Sequence, residues 1–251
     1  MPEPQTLRVS SLLLISIPHG AQRQGDTMFI QLNGQILYYE KSGEGSPIIL
    51  VHGNGETHEI FDVLIPELAK NHTVYALDTR GHGQSATPKT FHYEDMADDV
   101  VEFIHALSIQ KPSFYGFSDG GIIGLLLASK YPDKLSSLIV SGANLKPKDL
   151  KKRFLRKMKR LYRKRKNPLL LLMLTEPDIE IERLHFISVP TLVLAGQKDI
   201  VKKSATQRIA KHIPHATLRI LEGENHGSYV EHSPKLYPLI QDFLNLSITF
   251  H

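Results

Sequence analysis

Six short apolar runs, spaced along the chain, limit the architectures open to it. They are "PIILVHG", "HTVYALD", "PSFYGFS", "SSLIVSGAN", "PTLVLAGQKD" and "ATLRILEGENH". Most are too short for helices and too uniformly apolar to leave one face in water, as in strands covered on both sides. Helical patterns separate them: roughly Glu59 to Lys70, "YEDMADDVVEFIHALSI", "DGGIIGLLLASKYP" ending at Pro132, and the C-terminal "SPKLYPLIQDFLNL". Ahead of the first run, "FIQLNGQILYYEKSG" gives two β segments around Asn33-Gly34, a strong hairpin signal. The pattern predicts an α/β fold: an eight-stranded, mostly parallel sheet, begun by an antiparallel hairpin and covered by helices on both faces. In such sheets ligands sit beyond the carboxyl ends of the strands, so the loops after each strand are where function is to be sought.

One stretch breaks the alternation. About forty residues separate "SSLIVSGAN" from "PTLVLAGQKD", where a single crossover helix would suffice. Leu150, Phe154, Met158 and Leu161 recur there at helical spacing on a segment otherwise dominated by Lys and Arg. Asn167-Pro168 then reads as an N-cap and first helical residue. Residues 145–185 are therefore read as a basic helical insertion, with the α/β core in 28–144 and 186–251.

Charge is concentrated in this insertion. Lys146 to Lys166 holds 13 Lys/Arg and the single acid Asp149, leaving 17 basic and 25 acidic residues of the chain's 30 and 26 elsewhere. A mildly acidic globule with one basic segment does not resemble a nucleic-acid binder, which spreads positive charge over its core. For the insertion three roles stay open: a solvated face, a guide for acidic substrates, or a contact with an anionic membrane surface. The last is not favoured, because the apolar stripe is short and is needed for packing.

The 251 residues contain no cysteine, which excludes disulfides, thiolate metal sites and a cysteine nucleophile. No histidine cluster has metal-ligand spacing, and neither a metal nor a cofactor is expected. Residues 1–27 form an N-terminal extension, expected to be loosely ordered. Its apolar run Leu12 to Ile17 is shorter than a secretory core and follows Glu3, so a cytoplasmic location is expected.

The chemistry centres on "GFSDGG". Ser118 stands where a strand runs into a helix, between glycines that permit a very tight turn. That turn aims the Asp119 amide, at the helix N-terminus, toward any oxyanion formed at the serine. A serine hydroxyl needs a base, and of 13 histidines only His226 lies in a loop directly after the last strand. The imidazole needs a carboxylate partner, and Asp199 follows the preceding strand, with Glu222 or Glu224 as substitutes. In "VHGNG" the Asn54 amide is the second oxyanion donor, while His52 is read as structural. Arg80, in "DTRGHGQS", is expected to brace its loop by pairing with an acid, and Ser85 lacks the strand-turn-helix setting.

Together "VHGNG", "DTRGHGQS", "GFSDGG", "PTLVLAGQKD" and "NHGSYVE" resemble the α/β-hydrolase fold family over about Phe29 to Leu246. The "SDGG" elbow also resembles, less specifically, the biphenyl-hydrolase and valacyclovir-hydrolase branch. The resemblance implies a Ser118, Asp199, His226 triad and a lid between the sixth and seventh strands, where the basic insertion falls. Asn225 departs from the pattern, since many members carry glycine before the histidine. The expected activity is that of a serine hydrolase, acting on a small-molecule carboxylic ester or a related thioester or activated acyl compound. A receptor-like protein with little turnover, a carbon–carbon bond hydrolase and a membrane-associated lipid hydrolase are the alternatives. Substrate identity, acyl-chain preference and oligomeric state are open at this level.

Overall fold

The computed structural model describes residues 26–32 and 34–248. The expected N-terminal extension therefore lies almost wholly outside the described residues. Eight strands form one sheet in the order β1-β2-β4-β3-β5-β6-β7-β8. They are β1 (Asp26–Leu32), β2 (Gln35–Ser42), β3 (Ser46–Val51), β4 (His72–Asp78), β5 (Ser113–Phe117), β6 (Ser137–Ser141), β7 (Thr191–Gly196) and β8 (Ala216–Leu221). The β1–β2 hairpin pairs Leu32 with Gln35, on either side of the expected Asn33-Gly34 turn, of which Asn33 lies outside the described residues. β2 is antiparallel to β4, and every pairing from β4 onward is parallel.

Helices cover both faces: α1 (Leu64–Leu68), α2 (Tyr93–Ala106), α3 (Asp119–Lys130), α4 (Lys152–Arg165), α5 (Pro168–Thr175), α6 (Lys203–His212) and α7 (Leu236–Ile248). Strand alternation divides the core in two. On β5, Phe114 joins the cluster under α2 and α3, while Tyr115 and Phe117 join the cluster with Leu64, Leu236 and Ile240 of α1 and α7. All four residues Ile48 to Val51 of β3 are fully buried, which is why that run carries no polar residue.

The single helix expected over roughly Glu59 to Lys70 is instead a one-turn 3-10 helix, His58–Phe61, followed by α1. Pro66 explains the break: a proline lacks the amide a helix interior needs and is tolerated only in a first turn, where α1 places it. In the insertion, helix begins at Lys152, not at the start of the apolar stripe. Leu150 forms an antiparallel bridge with Val201 and is buried there. Asn167 caps α5 by accepting from the amides of Leu169 (2.8 Å) and Leu170 (3.2 Å). Among the described residues, no helix is long and apolar enough to cross a membrane.

Candidate active site

The carboxyl ends of β3, β5, β6, β7 and β8 meet at one edge of the sheet, and the sequence-predicted residues meet there with them. Ser118 leaves β5 with φ 52° and ψ −110°, a left-handed backbone that a non-glycine residue adopts at a cost of ~1–3 kcal/mol. Two contacts hold it in that state: its amide donates to the Ser141 carbonyl at 2.7 Å, and its carbonyl accepts from Ile122 at 3.1 Å. Gly120 lets the start of α3 press against β3. A Cβ there would lie 2.1 Å from the Val51 carbonyl oxygen, so no other residue fits without moving backbone.

His226 Nε2 lies 3.0 Å from Ser118 Oγ, and its Nδ1 lies 2.7 Å from Asp199 Oδ1. Asp199 is buried, and the same Oδ1 accepts from the Val201 amide at 2.9 Å, which fixes the carboxylate. Gly142, after β6, makes room for the imidazole. It has φ +62°, and a Cβ would stand 2.6 Å from His226 Cε1. The substitutes for Asp199 are elsewhere: Glu222 is exposed, and Glu224 binds Lys235 (2.6 Å) and Ser228 (2.7 Å). Asn225 earns its place by a local bond pattern, since its Oδ1 accepts from the amides of Gly227 and Ser228, both at 3.1 Å. It closes the turn that carries His226.

The loop after β3 is tied down at nearly every polar group. Gly53 donates to Glu56 Oε2 (2.8 Å), Gly55 donates to His82 Nε2 (3.0 Å), and Glu56 donates to the Gly53 carbonyl (3.3 Å). The Asn54 side chain donates to Asp119 Oδ2 (2.9 Å) and to the Leu169 carbonyl of α5 (3.1 Å). Among the described residues, neither the Asn54 amide nor the Asp119 amide donates to another backbone group. His52 braces the loop, with Nδ1 2.7 Å from the Gly53 carbonyl and Nε2 accepting from the Thr79 amide at 3.1 Å. Burial, and then the neighbouring His82, pushes its pKa down to about 3, so it is neutral. Arg80 grips Asp99 with two bonds of 2.7 Å and reaches Asp95 at 3.1 Å. Ser85 is a buried brace that donates to the Asp78 carbonyl at 2.6 Å.

Sequence reasoning passed over one acid, Glu56, and a second histidine brace. Glu56 sits behind Gly53, close to Ser118, and burial pushes its carboxyl up to about 7, with Glu231 and Asp119 adding to the rise against the Gly53 bond and His226. Burial likewise raises Asp119 to about 6, opposed by the Asn54 bond. Only the three-residue interval after Gly53 signalled Glu56. His58 is the second brace: it lies 2.8 Å from Asp78 and 3.3 Å from Glu40. Burial opposes its charge, yet its bonds to Asp78 and Glu40 push its pKa up to about 9. A cavity of about 700 Å³ opens beside His58, lined also by Glu40, Asp62, Lys70 and His232, and neither Ser118 nor His226 faces it.

A family profile described as "alpha/beta hydrolase fold" matches residues 46–172. The chain is 29% identical to the serine hydrolase BPHL of Homo sapiens, over 86% of this chain and 85% of that protein. It is 24% identical to the pimeloyl-[acyl-carrier protein] methyl ester esterase of Aliivibrio salmonicida, over 83% of this chain and 95% of the relative. Among solved structures, a thermophilic esterase from Thermogutta terrifontis superposes with a TM-score of 0.75 at 24% identity, covering 88% of this chain and 99% of the other. The family profile spans half the chain and includes both the loop after β3 and the turn at Ser118, and on that match the chain belongs to the α/β-hydrolase fold family.

Proposed function

We propose that the protein is a serine hydrolase that cleaves a carboxylic ester through an acyl-enzyme. The reading is carried by one observation: Ser118, His226 and Asp199 form a single hydrogen-bonded row, 3.0 and 2.7 Å between partners, at the end of the sheet. In this mechanism His226 Nε2 takes the Ser118 proton as Oγ attacks the ester carbonyl. Asp199 holds Nδ1–H and balances the imidazolium. The tetrahedral oxyanion is received by the amides of Asn54 and Asp119, which among the described residues have no backbone partner. His226 then passes its proton to the leaving alcohol, and in the second half-reaction it takes a proton from water, whose oxygen displaces Ser118 from the acyl group, and gives that proton to the departing Ser118 Oγ.

The Asp119 carboxylate has no part in this chemistry. It is buried and bonded to Asn54, and it ties the two amide-bearing segments together. The similarity to an ester esterase and to a serine hydrolase supports the ester class over other acyl substrates. A cytoplasmic, cofactor-independent enzyme acting on small or medium esters is the corresponding expectation.

A panel of nitrophenyl esters of increasing chain length, with fluorophosphonate labelling in parallel, tests the proposal. Turnover and labelling are expected in the wild type and absent from Ser118→Ala. Folded wild-type protein that neither labels at Ser118 nor turns over any ester would sink the enzyme reading in favour of a receptor-like one.

A further inference from the structure

α4 is built against its own stability. Nine of its 14 residues are Lys or Arg, and none is acidic. Like charges stand at i,i+4 in Arg153–Lys157, Arg156–Arg160, Lys159–Arg163 and Arg160–Lys164, an arrangement that destabilises a helix. Lys152 and Arg153 also occupy its first turn, where the helix dipole disfavours cations. All eleven basic residues between Lys151 and Lys166 are exposed. Among the described residues no carboxylate lies within ion-pair distance of any of them; in the insertion Asp178 and Glu180 pair with Lys146, Asp149 with Arg208 and Glu176 with His92. Packing does not account for them either. Inward, Phe154 and Leu155 pack against the cluster of Leu150, Val201 and Ala205, as do Met173 and Ile200, and Met158 is buried.

The adjoining helix is anomalous in the opposite sense. α5 is "PLLLLMLT", joined to α4 through Lys166 and Asn167, and only Leu172 of it is buried. Leu169, Leu170, Met173 and Leu174 are half-buried, and Leu171 is 40% exposed. A strongly cationic helix thus lies beside a partly uncovered apolar one.

We propose that α4 and α5 together form a docking surface for an anionic lipid bilayer. The α4 cations meet the headgroups, and a shallow groove of about 370 Å³ between Arg153, Arg156, Lys157 and Arg160 has room for a phosphate group. The exposed Leu171 and the half-buried leucines of α5 beside it enter the boundary between headgroups and acyl chains. Charge complementarity selects this occupant, and the leucines separate it from nucleic acid, which would use the cations and gain nothing from α5. The acidic remainder of the chain turns the other faces away from the membrane. The Asn54 side chain bonds the Leu169 carbonyl, so the docked face adjoins the loop beside Ser118. This surface holds whether or not the ester reading is right, because binding is measured apart from turnover.

The experiment sediments full-length Ser118→Ala protein with vesicles of phosphatidylcholine alone, and with vesicles of equal parts phosphatidylcholine and phosphatidylglycerol. Binding is expected to the anionic vesicles only, and to weaken as salt is raised. Combined Arg153→Glu, Lys157→Glu and Arg160→Glu should lower partitioning roughly 100-fold or more. The matched glutamine triple guards against a folding defect and should lower it in the same direction. Leu171→Asp should lower it roughly tenfold. The proposal fails if folded protein ignores both vesicle types or binds them equally. It also fails if Leu171→Asp leaves binding intact while a DNA duplex competes fully, which would mark a site for nucleic acid.

Discussion

The sheet edge around Ser118 and the surface of α4 treat polar groups in opposite ways. At the edge, partners are supplied by other parts of the chain: Asp199 by Val201 and His226, Asn54 by Asp119 and Leu169, His52 by Gly53 and Thr79. On α4, cations face solvent, and among the described residues no carboxylate pairs with them. The first pattern fixes atoms to within a hydrogen bond, as making and breaking covalent bonds requires. The second fixes only a field, sufficient to meet an extended charged partner and insensitive to the placement of any one side chain. Substitutions should therefore cost activity without stability at the edge, and neither on α4.

The contrast is broken most directly at the nucleophile. Ser118→Ala should lower ester turnover by on the order of 10⁴-fold or more, with an unchanged circular dichroism spectrum. The side chain contributes a single hydrogen bond to the fold, so a large drop in melting temperature would show the turn to be structural. Asp199→Asn comes next, at about 10³- to 10⁴-fold in kcat, because the amide can no longer hold His226 in the Nδ1–H tautomer. A loss under tenfold would mean that another carboxylate serves the histidine, and Glu224 would then have to leave Lys235 and Ser228.

Much of this edge is legible before any coordinates, because glycines and strand ends leave local marks. Gly116 and Gly120 around Ser118, and the loops carrying Asp199 and His226, each follow an apolar run. Gly142 was within reach of the same reasoning, since it too follows a strand, but the ring it must clear arrives from 84 residues downstream. Glu56 and His58 were hidden for a different reason. Their environments are made by burial and by partners such as Glu40, Asp78 and Glu231, from strands and loops that no local pattern connects to them. The insertion is the reverse case. Its charge is plain in composition, whereas the exposure of α5 depends on how few of its leucines the core can reach, and "PLLLLML" alone reads as a buried helix.

Glu56 offers a subtler test, in which the edge gives up stability for position. An unfolded glutamate titrates near 4.5, and the folded one is pushed up to about 7 by burial. Between these values the folded chain holds the extra proton. The stability contributed by Glu56 therefore falls as pH rises from about 4.5 to 7, and is level above that window. Glu56→Gln removes this ionisation and leaves those of Asp119 and His52, so its melting temperature should gain on the wild type's as pH rises through the window. Above pH 7 it should exceed the wild type by about 2–4 °C, allowing for partial solvent screening. Parallel melting curves for the two proteins would show that Glu56 is solvated.

The smallest effect belongs to α4 and has an unusual sign. Arg160 stands among Arg156, Lys157, Arg163 and Lys164, at i−4, i−3, i+3 and i+4. In Arg160→Glu these repulsions become attractions, each worth about 0.2–0.5 kcal/mol on a helix surface. The variant should melt slightly higher than the wild type at low salt, with the gain shrinking as salt is added. Hydrolysis of a short soluble ester should stay within about twofold, since the side chain is exposed and touches nothing at the sheet edge. A variant that is more stable, equally active on a soluble ester and weaker on anionic vesicles would show that the cations are kept for the surface they meet and not for the fold. A marked loss of stability would instead make α4 part of the scaffold and erase the difference between the two regions.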